Sequence, residues 1–438
     1  MANKTRIGLL GLGTVGSGVA EILLNPANRH PLVSEIELAG VAIRDPNRHR
    51  KINIPSEILT TDAKKIIDDP SIDVIVEVMG GIEPARALIM RSIEQGKSVV
   101  TANKAVIARH GNEIANSANK HGVYVLIEAA VGGGIPIIEP IKQSLGGNKI
   151  MRISGIINGT TNYILTKMEK EGLAFSDILK NAQELGYAES NPASDIEGLD
   201  AADKISILST LAFGGNINRE DIPTQGINNL QSRDVNYASQ LGYQVKLLAI
   251  AERLDTIKER PNSLPLAVRV QPTLIPKDHP LSGVNGVNNA ILVQGEPIGE
   301  VMFYGPGAGA GPTASAVVAD ILNIAGINKL GSSEKLLDPL LAANSWRDCH
   351  LVSEDEIVQS NYIRLLTQDS PGVIGKIGQI FGKENVSIQS IVQFDASSAS
   401  AEIVVITHKV KQGKINGSLR AIEKLEEVNR IAAHMGCL

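Results

Sequence analysis

Five acids and a lysine crowd the stretch Gly186–Lys204, GYAESNPASDIEGLDAADK: Glu189, Asp195, Glu197, Asp200, Asp203 and Lys204. Carboxylates at this density suit a ligand carrying an ammonium group, and one of them can orient the lysine. Asn191-Pro192 disfavours helix, while Leu199 to Phe213 restores apolar residues at helical spacing, so the segment passes from loop into helix. Asp200 and Lys204 then share one helix face at i,i+4. Taken alone, such a cluster is a solvated, salt-bridged helix start. The motifs placed around it change that reading.

The first of them is Gly11-Leu12-Gly13-Thr14-Val15-Gly16, which follows the apolar run Arg6–Leu10 and precedes the helical pattern Val19, Ala20, Ile22, Leu23. Strand, tight turn and helix are the context in which G-x-G-x-x-G binds a dinucleotide. Gly11 permits the turn, Gly13 lets backbone approach a pyrophosphate, and Gly16 allows the helix to pack on the strand. A second strand, Ile36 to Ile43, ends in Arg44-Asp45. An acid there favours NAD and an arginine the 2′-phosphate of NADP, so Arg44 points to NADP while Asp45 keeps NAD open. Further strands are expected at Asp73–Met79, Lys97–Val100 and Val123–Ala130. Their ends carry Thr101-Ala102-Asn103-Lys104 and the turn Glu128–Ile135, where an open parallel sheet binds its ligands. Lys104, in a strand-end loop beside a cofactor, is a catalytic candidate.

At 438 residues the chain has room for two or three domains. A net charge of −5 and 3% aromatics give no reason to expect nucleic acid or an anionic membrane as partner. Two distant cysteines, Cys349 and Cys437, offer neither a disulfide framework nor zinc spacing, so a reducing cytoplasm is expected. Glycines and Glu21 interrupt the apolar N-terminus, which suits strand–turn–helix better than a signal peptide. No membrane span is expected.

After Ile135 the pattern changes. Helices are expected at Ile137–Leu145, up to about Glu171, and at Ser176–Leu185, and strands at Met151–Ile157 and from Pro265 to Gly305, as in an α+β domain. A second glycine loop, Gly305 to Thr313, precedes a helix at Ser315–Ile324 and reads as backbone packed near the cofactor or as a linker. Asp348–Gln359 reads as linker or edge structure. The order strand, helix, strand, strand, helix, strand then follows from Asn361, with Asp369-Ser370-Pro371-Gly372-Val373 opening its first helix.

Together, GLGTVG, DVIVEVMGG, TANK, EAAVGGGIP, ISGIINGTTNYI, GYAESNPASDIEGLDAADK and YGPGAGAGPTASAV resemble the homoserine dehydrogenase family over residues 5 to 345, and the C-terminal part resembles an ACT domain. The resemblance implies reversible NAD(P)-dependent reduction of L-aspartate 4-semialdehyde to L-homoserine, on the way to threonine, methionine and isoleucine. It implies a Rossmann-type doubly wound parallel sheet (1–134 plus 305–345), an α+β substrate and dimerisation domain (135–304) and a ferredoxin-like ACT domain (353–438). Lys204 and Lys104 carry over as catalytic, and Glu189, Asp195 and Asp200 as substrate-binding. Gly11, Gly13, Thr14, Val15, Gly16, Arg44, Lys104 and Gly305 fall to the cofactor. Glu128, Val131, Gly133 and Ile135 fall to a monovalent cation, typically sodium. A homodimer or homotetramer is implied, as is feedback by threonine at the ACT strand–helix turn, Asp369–Val373 with Asn385. With no kinase-like segment ahead of Arg6, a single activity is expected. Glu197 and Asp203 keep the reading of surface charge.

Lysine, with a reference pKa of about 10.4, is a poor base at neutral pH, and a second lysine and a partly dry site lower it. Lys204 is favoured as proton donor and Lys104 as second acid or carbonyl polariser, an order that sequence does not fix. Two rivals stand beside this reading: a silent amino-acid sensor, which would not need both lysines, and a dehydrogenase acting on an amine-bearing carbon.

Overall fold

The computed structural model describes residues 4–50, 52–255, 257, 260, 262–329, 347–394 and 400–438. Its chain divides into two compact units: residues 1–151, 203–220 and 289–349, and residues 152–202, 221–288 and 350–438. The expected end of the first domain at residue 345 lies outside the described residues.

The first unit opens with β1 (Thr5–Leu10), α1 (Thr14–Leu24), β2 (Ile36–Ala42), β3 (Leu59–Thr60) and α2 (Ala63–Ile67). Then come β4 (Val74–Glu77), α3 (Ala85–Glu94), β5 (Ser98–Thr101), α4 (Lys104–His121) and β6 (Val125–Leu126). All pairings are parallel, in the order β3-β2-β1-β4-β5-β6. This is the doubly wound dinucleotide-binding order, whose reversal between β1 and β4 opens the ligand crevice at the strand ends. β4 and β5 are buried throughout, which is why they read as unbroken apolar runs.

One correction belongs here: the strand expected over Val123–Ala130 stops at Leu126, and Glu128–Ala130 is a 3-10 helix. The short helix expected over Ile137–Leu145 is present, as two α-helical residues, Ile138 and Glu139, continued by a π-helix at Pro140–Ser144.

The chain enters the second unit through β7 (Lys149–Ile156). There follow α5 (Gly159–Glu171), α6 (Phe175–Glu184), the short α7 (Ala193–Ile196) and α8 (Leu199–Phe213), which belongs to the first unit from Asp203 onward, and then, in the second unit, α9 (Ser232–Gln240), β8 (Tyr243–Arg253) and β9 (Leu264–Pro276). β8 pairs antiparallel with β7 and with β9. It is a strand that sequence patterning passes over, because seven successive residues are buried and no alternation shows.

β10 (Asn288–Glu296), β11 (Gly299–Pro306) and α10 (Ala310–Lys329) return to the first unit. α10 starts five residues earlier than expected, inside the glycine loop, with Pro312 in its first turn. By length and composition it could cross a membrane. It instead buries Ala314, Val317, Ile321 and Ile324 against the sheet and α1, where a Cβ on Gly18 would meet the Ala310 carbonyl at 2.7 Å.

The rest, from His350 onward, belongs to the second unit: β12 (Cys349–Leu351), β13 (Val358–Gln368), α11 (Val373–Lys383), β14 (Ile388–Phe394), β15 (Ser400–Thr407), β16 (Val410–Lys411), α12 (Gln412–Ile422) and β17 (Val428–Cys437). β17-β13-β15-β14 form an antiparallel ferredoxin-like sheet with α11 and α12 packed around Ile363, Ile377, Phe381 and Ile415. Asp348–Gln359 is edge structure, since β12 pairs with β9. The ferredoxin-like sheet is not detached: β17 joins β9 in parallel, Gly436 opposite Thr273 and Cys437 opposite Leu274.

Candidate active site

The glycine turn divides its labour as the spacing implies. Gly11 has φ +106°, and a Cβ there would meet the Val78 carbonyl at 2.9 Å. A Cβ at Gly16 would collide with the Gly11 carbonyl, so only glycine lets α1 sit this close to β1. Gly13, the N-cap of α1, faces open space, and Thr14 and Val15 begin the helix whose free N–H groups suit a phosphate. Arg44 is exposed just beyond β2. The neighbouring Asp45 accepts from the Asn47 backbone N–H (2.9 Å), so part of its carboxylate serves its own turn.

Lys104 is the first residue of α4, and a buried carboxylate holds its loop. Glu77 is fully buried at the end of β4, where it accepts from the Thr101 hydroxyl (2.6 Å) and the Met79 N–H (2.7 Å). Burial pushes the Glu77 carboxyl above its usual range, and those donors oppose the push. The Thr101 hydroxyl in turn accepts from the Asn103 N–H (3.0 Å). Asn103 donates to the Gly81 carbonyl (2.7 Å) and caps α4 through the Val106 N–H. Glu77 was hidden in the sequence as one polar residue within an apolar strand.

Lys204 is 9% exposed on α8. Asp203, read from sequence as surface charge, is 7% exposed and accepts from Arg219 Nε (2.8 Å) and Arg109 Nη1 (3.1 Å). Arg109 lies on α4, the helix that starts at Lys104, and Arg219 is itself buried. The clamp therefore ties the helix beginning at one candidate lysine to the residue preceding the other. Glu197 is exposed, as expected.

Within the second unit, Asn158 caps α5 by accepting from the Thr161 N–H (2.9 Å). Its amide nitrogen donates to both Asp195 (2.7 Å) and Asp200 (2.8 Å), joining two residues the sequence assigns to substrate. Asn158 was not singled out by sequence; the one cue was its place between a strand and a helix. Glu189 lies on the exposed loop before α7, outside that group, with its backbone carbonyl held by Gln183 (3.0 Å).

At the cation turn, Glu128 accepts from the N–H groups of Ile137 (2.6 Å), Ile138 (2.9 Å) and Glu139 (2.8 Å). Its carboxylate is committed to the backbone. Among the described residues no group of three or more His, Cys, Asp or Glu could hold a metal ion. A cation here would rely on backbone oxygens, a donor set that suits a hard ion. Asp320, buried beside the turn, accepts the Glu128 N–H (2.9 Å) on one oxygen and, among the described residues, has no hydrogen bond on the other. Val131 and Ile135 are buried, Gly133 (φ +58°) packs against the Gly307 backbone, and Gly305 lies beside Ile135. The two glycine loops thus pack on one another.

Family models match in three places: the NAD-binding domain of homoserine dehydrogenase over residues 11–128, homoserine dehydrogenase over 136–322 and the ACT domain over 361–427. The chain is 54% identical over 426 residues to a homoserine dehydrogenase of Synechocystis sp., covering 97% of this chain and 98% of that protein. It is 38% identical over 431 residues to that of Bacillus subtilis, covering 97% and 96%. A homoserine dehydrogenase structure from Thiobacillus denitrificans superposes with TM-score 0.90 at 39% identity, covering 99% of this chain and 98% of that one. A hyperthermophilic archaeal homoserine dehydrogenase in complex with NADPH gives TM-score 0.61 at 27% identity, over 76% of this chain and 100% of that one. With a doubly wound dinucleotide fold, a mixed sheet and an ACT domain matched in order, the chain belongs to the homoserine dehydrogenase family.

Proposed function

We propose that this chain reduces L-aspartate 4-semialdehyde to L-homoserine and runs the reverse reaction, within threonine, methionine and isoleucine synthesis. The observation that carries the reading is Asn158, whose one amide group presents Asp195 and Asp200 as a pair. Paired carboxylates suit the α-ammonium group that substrate and product share, and Glu189 on its exposed loop adds a third. Lys204 donates a proton to the carbonyl oxygen as it becomes a hydroxyl, and Lys104 polarises that carbonyl. In the reverse direction Lys204 takes the proton back. The nicotinamide, when bound, supplies or accepts the hydride.

Gly11, Gly13, Thr14, Val15, Gly16, Lys104 and Gly305 form the cofactor's protein surroundings, and exposed Arg44 favours the 2′-phosphate of NADP. A sodium-like cation on the backbone between Glu128 and Ile135, with Val131 and Gly133, braces the turn. We divide the chain into a cofactor domain (1–134 with 305–345), a substrate and dimerisation domain (135–304) and a regulatory ACT domain (353–438). Cys349 and Cys437, neither of them in a disulfide, fit a reducing cytoplasm, and the chain works as a homodimer or homotetramer.

The test is NADPH oxidation by the full chain with L-aspartate 4-semialdehyde. Lys204→Ala is expected to lower kcat by about 10²–10⁴-fold; turnover near wild type would end the proton-donor assignment. Threonine feedback at Asp369–Val373 is best tested by Asp369→Ala, because removing residues 353–438 would strip β17 from β9. Threonine inhibition that persists unchanged in Asp369→Ala excludes the turn as its site.

A further inference from the structure

β17 and β9 meet over only two residue pairs, and beside that short ladder lies a cavity of about 290 Å³. That is close to the lower end of small-molecule pockets, about 300–1,000 Å³. Its walls come from β9, from the segment before β13, and from β13, α12 and β17, and they include Arg269, Glu354, Gln359, Gln412, Asn416 and His434.

These walls are not those of a packing defect. Gln271, also in the lining, donates to Gln359 (3.0 Å), Gln359 to Gln412 (3.2 Å) and Gln412 to Asn416 (3.3 Å). Each carboxamide can make up to four hydrogen bonds, so the chain keeps donors and acceptors in reserve. A Cβ on Gly436 would run into the Gln271 amide, so glycine at that position leaves this wall room.

Arg269 supplies the charge. It is 5% exposed and bonds Glu252 through Nη1 (2.7 Å), while Arg152 approaches the other Glu252 oxygen at 3.8 Å. Two guanidiniums thus share one carboxylate. Arg269 Nε is buried and has no acceptor among the described residues, a costly omission for a charged donor. His434 cannot balance the charge, since burial lowers its pKa to about 4 and it stays neutral. Glu354 is the exposed anion of the lining.

A buried guanidinium with one N–H left without an acceptor among the described residues, an exposed carboxylate and a wall of carboxamides describe the complement of a small zwitterion. We propose that this cavity binds a free L-α-amino acid, its carboxylate on Arg269, its ammonium group towards Glu354 and its polar atoms on the carboxamides. It is a different place from the strand–helix turn at Asp369–Val373, and it does not depend on the catalytic roles proposed above. A ligand touching β9, α12 and β17 together would reinforce the two-pair joint between the ACT sheet and the sheet it extends.

Calorimetric titration of the full chain with each standard L-α-amino acid, and with acetate as a carboxylate-only probe, tests this without any turnover. At least one amino acid is expected to bind saturably, and acetate more weakly. Asn416→Leu, which alters one wall on half-exposed α12, and Arg269→Gln are each expected to weaken binding at least about tenfold (about 1.4 kcal/mol). Asp369→Ala should leave it unchanged. The proposal is overturned if no amino acid binds at millimolar concentration, or if acetate binds as tightly. It is equally overturned if Asp369→Ala abolishes binding that Asn416→Leu leaves intact.

Discussion

Two buried aspartates, one in each unit, are gripped by arginine, and they stand for two uses of the same chemistry. Asp203 takes Arg109 and Arg219 and sits one residue before Lys204. Asp234 takes Arg364 through Nε (2.7 Å) and Nη2 (3.1 Å), while its side chain also accepts from the Gln231 N–H (3.1 Å) at the start of α9. Arg364 is 1% exposed on β13 and reaches Glu402 (3.2 Å) and Gln231 (2.8 Å) as well. The Asp234 group fixes the first ACT strand against α9, far in sequence from either lysine. The Asp203 clamp fixes a candidate catalytic lysine against the helix that begins with the other. One should therefore be read in unfolding and the other in turnover.

The largest effect is expected from Arg364→Met. It strands Asp234 without its cation and leaves Glu402 only the exposed Arg233, and losing one partner of a buried pair costs about 3–5 kcal/mol. Denaturant unfolding should register that loss while kcat per folded molecule holds; a kcat that falls in step would erase the contrast. Asp203→Asn keeps shape and hydrogen bonding but removes the charge between the arginines. We expect kcat to drop about tenfold, or about 1.4 kcal/mol, with KM for the semialdehyde little changed, and Asp203→Glu to recover part of it. Equal losses of stability in Asp203→Asn and Arg364→Met, with kcat intact in both, would make the clamp merely structural.

A third effect separates the units by pH. His434, in the ACT sheet, has its pKa lowered to about 4 by burial, against about 6.5 when unfolded. Between those values the unfolded chain binds the extra proton, so stability is intact above about pH 6.5 and declines as pH falls towards 4. His434→Gln should flatten that slope by an amount on the order of 1–3 kcal/mol. An unaltered acid limb would place its origin elsewhere.

Much of the site was legible because its signals are local. G-x-G-x-x-G between a strand and a helix states its backbone geometry in six residues, and the structure has Gly11 at the turn and Gly16 at the close helix–strand contact. The strand–helix turn of the ACT domain declares itself in the same way. Less legible were residues whose meaning is a distant partner. Asn158 bonds carboxylates 37 and 42 residues away, Arg109 reaches Asp203 94 residues away, and Glu77 receives a hydroxyl 24 residues on. Nothing in their neighbours' identities announces those bonds. β8 escaped for a different reason: a strand buried on both faces loses the alternation that marks strands.

By itself, then, the sequence determined the doubly wound cofactor fold, the ACT order and the family, because periodicity, glycine spacing and motif order act over a few residues each. Tertiary structure alone decided which partners surround the buried acids. Asp203, assigned to the surface, is enclosed by two arginines, and the Glu128 carboxylate accepts three backbone N–H groups. A carboxylate's role depends on which donors surround it and how dry it is, and both are set by chain segments that meet only after folding.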